Sequence, residues 1–170
     1  MIRTDLLETL KEFLKTLPRE KFDLDSWREG PYWSDAVTDE ALKNDCGTKG
    51  CAMGWAATLP EFKEAGLSYT QGHIRYVNPD DGKGLNWGFG ACKNIFGFNH
   101  SNTSKVLFLK RNYVDNCEKY VEAQAVVRRI EYLLKLAELP EGAEMSESDK
   151  NNHHLKAEVQ LIMDVEHNRI

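Results

Sequence analysis

Cys46-Gly-Thr-Lys-Gly-Cys51-Ala-Met-Gly-Trp55-Ala56 is the stretch of this 170-residue chain that most strongly restricts its fold. Two glycines and a threonine between the cysteines predict a tight turn that leads directly into a compact helix. Cys51 is then expected in the first helical turn, where the positive end of the helix dipole lowers the pKa of a thiol. We expect Thr48 to cap this helix and Trp55 to lie on its apolar face.

The residues before this motif predict one helix and one long loop. Apolar residues recur at helical spacing between Leu6 and Leu17, Thr4 is placed to cap the helix start, and Pro18 marks its end. Residues 28–45 have no sustained period and contain a Gly-Pro pair, so we interpret them as a loop. Loops of this length are uncommon inside a domain unless they are functional or mobile, which makes the segment a candidate binding loop.

The residues after the motif predict a small hairpin and further helices. The evidence is a strand-like alternation in the first part and helical periodicity in the rest. The predicted elements are a β-hairpin over 67–78 with its turn at Gln71-Gly72, a helix over 86–96 that carries Trp87 and is capped by Gly97, a short helix over 103–110, and the longest helix from Asp115.

The longest predicted helix carries an apolar seam whose members alternate steps of three and four. This spacing is typical of packing against another helix, which we expect to belong to the same core. Arg128, Arg129 and Lys135 are expected to flank the seam as surface charge. The seam consists of Tyr120, Ala123, Val127, Ile130, Leu134 and Ala137.

These elements predict a mainly α (α+β) fold with one small β-hairpin. The domain is expected to span residues 1–139 and to be followed by an acidic linker over 140–150. A terminal amphipathic helix over 151–170 would then dock on the domain or pair with a second copy, giving a possible homo-oligomer.

Charge and cysteine usage restrict the classes of function. The chain has 22 Lys+Arg and 27 Asp+Glu, and the resulting charge of −5 disfavours a general nucleic-acid binder, which needs a basic surface. The acidity is concentrated in residues 28–45 and 138–150. No apolar run is long enough to span a membrane, and the amphipathic N-terminus does not resemble a secretory signal. We therefore expect a cytoplasmic protein whose four cysteines are thiols or metal ligands.

Three weaker motifs accompany the cysteine motif, and together they carry a resemblance. They are FD-x-x-x-W at Phe22–Trp27, Leu107-Phe108, and Arg129-Ile130. With CGT-x-x-C-x-x-GWA, this combination resembles a family of small, largely uncharacterised phage and bacterial proteins over about residues 1–137. The resemblance implies a phage accessory protein that counters or redirects host machinery, and the host cytoplasm as its location.

The cysteine motif itself leaves a structural and a metal-binding interpretation open. In the structural one, the cysteines and Trp55 are buried, because free cysteine is among the most buried residue types. In the other, a Cys-x4-Cys pair binds zinc, although this gap is at the edge of the usual range and no second close pair exists. No cofactor is expected unless this zinc site exists. Its candidate ligands are Cys46 and Cys51, completed by two of Cys92, Cys117, His73 and His100.

Thiol chemistry is a third interpretation. Asp45-Cys46-Gly47 with Cys51 is similar to the start of some papain-like cysteine peptidases, with a spacing one residue longer. Cys46 or Cys51 would then be the nucleophile, and His73 or His100 the base. A disulfide or a redox-sensing role for the two motif cysteines also stays open.

The aromatic residues favour a binding role. Two of them stand in the acidic 28–45 segment, where aromatic anchors are typical of protein-binding hot spots. We therefore predict a non-catalytic protein that holds a host protein or a small ligand. The alternatives are a thiol-dependent enzyme and an assembly protein that oligomerises through its terminal helix. The predicted binding residues are Tyr32, Trp33, Asp35, Thr48, Trp55 and His73.

Overall fold

The computed structural model describes residues 2–30, 37–45, 47–98, 101–113 and 123–138. The described residues form seven α-helices and two small antiparallel sheets, which confirms the predicted mainly α (α+β) class with one small hairpin. The predicted linker over 140–150 and terminal helix over 151–170 lie outside the described residues. In chain order the elements are α1 (Thr4–Thr16), β1 (Arg28–Glu29), α2 (Asp39–Asn44), β2 (Lys49–Gly50), α3 (Ala52–Ala56), α4 (Pro60–Glu64), β3 (Leu67–Thr70), β4 (His73–Tyr76), β5 (Asn86–Trp87), α5 (Gly88–Phe96), α6 (Ser101–Phe108) and α7 (Ala123–Glu138).

Helix α1 forms where the leucine spacing predicts it, but its start differs from the prediction. Arg3 takes the N-cap position, and its backbone amide donates a 2.9 Å hydrogen bond to the carbonyl of Phe96. Thr4 is already helical, so the predicted Thr4 cap is wrong, and a tertiary contact fixes the helix start instead. The helix ends before Pro18, as predicted. Its buried stripe consists of Leu6, Leu7, Leu10 and Leu14.

Helix α7 packs against α1, so the predicted apolar seam faces the core of the same domain. Of the seam residues, Ala137 is exposed, which contradicts its predicted place in the seam. The predicted helix start at Asp115 and the seam residue Tyr120 lie outside the described residues. Within the described ranges, no helix combines the length and the apolar character needed to cross a membrane. The buried seam consists of Ala123, Val127, Ile130 and Leu134.

Arg129 is buried in this interface, with 2% of its surface exposed, so its predicted role as surface charge is wrong. Its guanidinium lies 3.3 Å from the ring centroid of Tyr113 and donates to the carbonyls of Val106 and Asn112. Burial lowers the pKa of Arg129 to about 10. The carbonyls at the end of α6 and of the following turn therefore provide the hydrogen bonds that burial of a charged group requires.

The hairpin of β3 and β4 confirms the prediction for residues 67–78. Gln71 and Gly72 both have positive φ, 50° and 77°, which is the turn that matches the twist of two antiparallel strands. A third strand, β5, pairs with β4 and contains Trp87. The helix predicted over 86–96 therefore begins only at Gly88, and the predicted place of Trp87 on it is wrong. Gly97, with φ 69°, caps its end as predicted.

The predicted loop over 28–45 contains regular structure at both ends, so that prediction is wrong there. Its first residues form β1, which pairs with β2 of the cysteine motif. Its last residues form α2, whose N-cap Thr38 accepts a hydrogen bond from the amide of Ala41. Both elements are very short and depend on tertiary partners, which explains why no period marks them in the sequence. Residues 31–36 lie outside the described residues.

Candidate functional site

The cysteine motif folds directly against the FD-x-x-x-W element. We call the contact between Phe22–Trp27 and Thr48–Trp55 the motif junction. The amide of Cys51 donates to the carbonyl of Trp27 at 3.2 Å. Gly54 lies against the same carbonyl so closely that a Cβ atom there would be 1.7 Å from its oxygen. A side chain at this position is therefore incompatible with the observed approach of the two segments.

Polar contacts complete the motif junction at its edges. The amide of Asp23 donates to the carbonyl of Gly50 at 3.2 Å, and its carboxylate forms a 2.6 Å ion pair with Lys49. The indole N–H of Trp55 donates to the carbonyl of Lys21 at 2.9 Å. Trp55 is 4% exposed, so it holds the junction together from inside rather than presenting a binding surface.

Thr48 serves as a cap, but of a different helix from the predicted one. Its hydroxyl lies 2.7 Å from the carbonyl oxygen of Asp45, 3.0 Å from that of Ala41 and 3.3 Å from that of Leu42. The ammonium of Lys21 donates to the carbonyls of Asp45 and Leu42 as well. These groups satisfy the unpaired carbonyls at the end of α2. The prediction that Thr48 caps the helix after the motif is therefore wrong.

Cys51 takes the N-cap position of α3 instead. Its Sγ accepts a 3.4 Å hydrogen bond from the amide of Gly54, and the residue is 2% exposed. Burial raises the pKa of Cys51 to about 11, because it outweighs the backbone hydrogen bonds that favour the thiolate. The predicted lowering of this pKa is wrong. Cys92 is also fully buried, and burial raises its pKa well above the ordinary value.

The described residues include some of the side chains named in the metal and peptidase hypotheses. Within the described ranges, no three His, Cys, Asp or Glu side chains form a group that could hold a metal ion. Cys46, His100 and Cys117 lie outside the described residues. His73 stands on β4 with an exposed side chain, and its ring contacts Trp87. The structure thus brings Thr48, Cys51 and Trp55 together in the motif junction and places His73 on the sheet.

The outer face of the three-stranded sheet presents a group of side chains of which the sequence predicted only His73 as a binding residue. The register pairs Arg75 with both Ser68 and Trp87, so these three side chains share one face. His73 precedes Arg75 by two residues and lies on the same face. Among the described residues, Trp87 and the neighbouring Leu85 are the large apolar side chains that are exposed, at 42% and 53%.

Ring and cation contacts organise this group around Trp87. The guanidinium carbon of Arg75 lies 5.8 Å from the centroid of the Trp87 ring. The ring of His73 meets the same indole edge-on, with centroids 6.4 Å apart and an interplanar angle of 87°. We call His73, Arg75 and Trp87 the Trp87 face. The Trp87 face combines an exposed aromatic ring with two basic side chains, Arg75 and His73. Strands β3, β4 and β5 are described in full, and they contain no other basic residue.

The opposite side of the sheet is anchored to the motif junction. Ile74 is fully buried, and the ring of Tyr69 lies 4.2 Å from the guanidinium carbon of Arg28. At the start of α5, the rings of Phe89 and Trp27 are 5.2 Å apart. The two sequence motifs therefore fix the position of the sheet, and through it the Trp87 face.

Arg28 also ties down both ends of the predicted binding loop. Its buried guanidinium donates to the carbonyls of Gly54 and Val37, each at 3.0 Å, and lies 2.7 Å from the carboxylate of Asp39. Burial alone would raise the pKa of Asp39, but hydrogen bonds from Lys63 and Arg28 hold it below its usual value. The predicted binding residues of this loop lie outside the described residues; they are Tyr32, Trp33 and Asp35.

The molecule is thus a mainly α domain in which a buried motif junction supports a small sheet with one exposed, aromatic face. Comparison of the chain with protein-family models, with curated proteins and with solved structures finds no match.

Proposed function

We propose that this protein is a non-catalytic binding protein of phage accessory type, which acts in the host cytoplasm by holding a host protein. The Trp87 face is the contact surface in this proposal. The observation that carries it is the 42% exposure of Trp87 on a sheet whose other side is packed into the core. An indole exposed to this extent costs free energy in water, and covering it with a partner recovers that free energy.

The composition of the Trp87 face supports a protein partner. Tryptophan and arginine are among the residue types most enriched in interface hot spots, and the exposed Leu85 lies two residues before Trp87 in the chain. Small-molecule sites are usually concave and bury most of their ligand, whereas these side chains stand on the outer face of a sheet. A protein surface therefore fits this geometry better than a small ligand.

The rigidity of the support also favours binding. The sheet is held by the Arg28–Tyr69 and Trp27–Phe89 contacts, so the strands that carry the Trp87 face are packed against the domain. Association then loses less side-chain and backbone entropy than it would on a flexible loop.

The environment of the Cys51 thiol supports a non-catalytic role for this residue. A cysteine nucleophile acts as the thiolate and must reach its substrate. Cys51 is buried with a pKa of about 11, and its Sγ is engaged as the N-cap of α3. Each of these features works against nucleophilic attack at neutral pH.

The proposal is tested by capture from host-cell lysate followed by a direct binding measurement. Immobilised wild-type protein, Trp87→Ala and Lys135→Ala are compared by mass spectrometry, the last as a control because Lys135 is exposed on α7. Any protein held by the wild type is then purified and its Kd measured. We expect Trp87→Ala to weaken binding roughly thirtyfold, corresponding to a hot-spot loss of about 2 kcal/mol, and Lys135→Ala to have no effect.

Two results would contradict this proposal. The first is a purified partner that binds Trp87→Ala as tightly as the wild type. The second is equal loss of binding in Trp87→Ala and Lys135→Ala, which would indicate nonspecific adsorption. Thermal unfolding of both variants shows whether a loss of binding reflects a loss of fold.

A further inference from the structure

We infer that the Trp87 face recognises an acidic segment of its protein partner, with a carboxylate of the partner on Arg75 and an apolar side chain of the partner on Trp87. This inference rests on the proposed function and adds the chemistry of the partner. Its support is charge complementarity between the Trp87 face and such a segment.

The charges on the sheet have one sign. Strands β3, β4 and β5 contain no Asp or Glu, and their basic side chains, Arg75 and His73, both belong to the Trp87 face. The chain as a whole carries a charge of −5, so this face departs from the average of the protein. A carboxylate approaching the sheet therefore meets attraction from the strands rather than repulsion.

Arg75 differs from Arg3, Arg28 and Arg129 in its partners. Arg3 and Arg28 form ion pairs with aspartates at 2.6 and 2.7 Å, and Arg129 donates to backbone carbonyls. Within the described part of the chain, no carboxylate forms an ion pair with Arg75, and its covered Nε has no hydrogen-bond acceptor. The covered Nε is out of reach of a partner, but the two Nη atoms have no acceptor among the described residues and are available to an incoming carboxylate.

The position of Arg75 beside an aromatic ring suits a peptide carboxylate. A guanidinium presents a planar fork that matches a carboxylate, and that of Arg75 lies within cation–π distance of the indole. The exposed indole next to it offers apolar contact area to a neighbouring side chain of the same segment. An acidic residue adjacent to a large apolar residue therefore satisfies both parts of the Trp87 face.

A nucleic acid fits this surface less well. Binding to a phosphate backbone requires an extended set of lysines and arginines, because affinity comes from the release of many counterions. The Trp87 face supplies Arg75 and His73 only, and Asp80 and Asp81 follow β4 in the loop that leads to β5. These two carboxylates add negative charge close in the chain to β4, which further disfavours a polyanion.

The test is a selection from a library of random short peptides on the immobilised full chain, with a parallel selection on Trp87→Ala. Peptides that require Trp87 are synthesised, and their Kd values are measured for the wild type and for Arg75→Gln. We expect these peptides to carry Asp or Glu beside a large apolar residue. We expect Arg75→Gln to weaken them roughly tenfold, and Arg128→Gln, an exposed arginine on α7, to leave Kd unchanged.

A double-mutant cycle then assigns the contact. Replacing the peptide's Asp or Glu by the amide is expected to cause a similar tenfold loss in the wild type and little further loss in Arg75→Gln. Should Arg75→Gln unfold, Arg75→Lys gives the same comparison, because it keeps the charge and removes the fork; a several-fold loss is expected.

The outcomes separate the two proposals. The acidic-partner inference is overturned if the Trp87-dependent peptides are not enriched in acidic residues. It is also overturned if these peptides bind Arg75→Gln as tightly as the wild type. Either result leaves the proposed function intact. Displacement of an acidic peptide by a single-stranded oligonucleotide at lower concentration also overturns it, in favour of nucleic acid. If no peptide depends on Trp87 and the lysate experiment fails as well, both proposals fall.

Discussion

Replacing Gly54 by alanine tests whether the motif junction is what holds this fold together. The added Cβ would lie 1.7 Å from the carbonyl oxygen of Trp27 and 2.8 Å from its carbonyl carbon. A carbon atom needs about 3.3 Å from such an oxygen, so the two backbones would have to separate by about 1.6 Å. Both clashing atoms belong to backbone, so no change of rotamer relieves the contact.

The expected loss of stability follows from this displacement. Overpacking of a buried site costs about 1–3 kcal/mol. The shift also lengthens two hydrogen bonds, from the amide of Cys51 to Trp27 at 3.2 Å and from Arg28 to Gly54 at 3.0 Å, each worth about 1 kcal/mol. The better helix propensity of alanine offsets up to about 1 kcal/mol. We expect a net loss of about 3 kcal/mol, and a Tm lower by about 6–12 °C.

Gly90→Ala is the matched control for this experiment. Gly90 lies in α5, and the nearest atoms to an added Cβ belong to the side chain of Asn86 at 3.6 and 3.8 Å, an ordinary contact distance. This substitution should be neutral or stabilising by up to about 1 kcal/mol. Free energies of unfolding come from urea titration followed by circular dichroism. The reasoning is refuted if Gly54→Ala lies within about 1 kcal/mol of the wild type, or if both alanines destabilise equally.

Two further predictions concern ionisable groups. The pKa of Asp39 is lower in the folded protein than the ordinary carboxyl pKa of about 3.9. Its ionised form therefore stabilises the fold above about pH 3.9, and this stabilisation is lost as the pH falls through the pKa of the folded state. Asp39→Asn should therefore destabilise the protein at about pH 7 and much less at about pH 2, as measured by urea unfolding; an equal loss at both would contradict the pairing with Arg28 and Lys63. Cys51 and Cys92 should resist iodoacetamide at about pH 8 in the native state and react in urea, as mapped by peptide mass spectrometry. Native labelling of Cys51 at the rate of an exposed thiol would show that its burial is wrong.

The parts of the fold that the sequence predicted are those determined by neighbours in the chain. The leucine stripe of α1 reflects the helical period, and the Gln71-Gly72 turn and the Gly97 cap reflect residues that tolerate positive φ. Each of these signals lies within one turn of helix or one hairpin, so no tertiary information is needed to interpret it.

The candidate site could not be found in the same way. Strand β5 has two residues, too few for an alternating pattern, and Trp87 therefore appeared to belong to the helix that follows it. Only the pairing of β5 with β4 brings Trp87 beside Arg75 and His73. The predicted site residue His73 does belong to this face, but its partners come from a different strand.

The amino-acid sequence by itself determined the mainly α class, the hairpin and the presence of a tight turn before α3. The tertiary structure decided what the chemistry-bearing residues do. The helix dipole was the local argument for a lowered pKa at Cys51, yet burial by distant segments dominates and raises it. Arginine is a charged residue type that is usually exposed, so the sequence predicts Arg129 at the surface. In the structure it is buried, and carbonyls 17 and 23 residues away in the chain accept its hydrogen bonds. Solvation and long-range hydrogen bonding depend on which segments meet in space, and this is information that local periodicity does not contain.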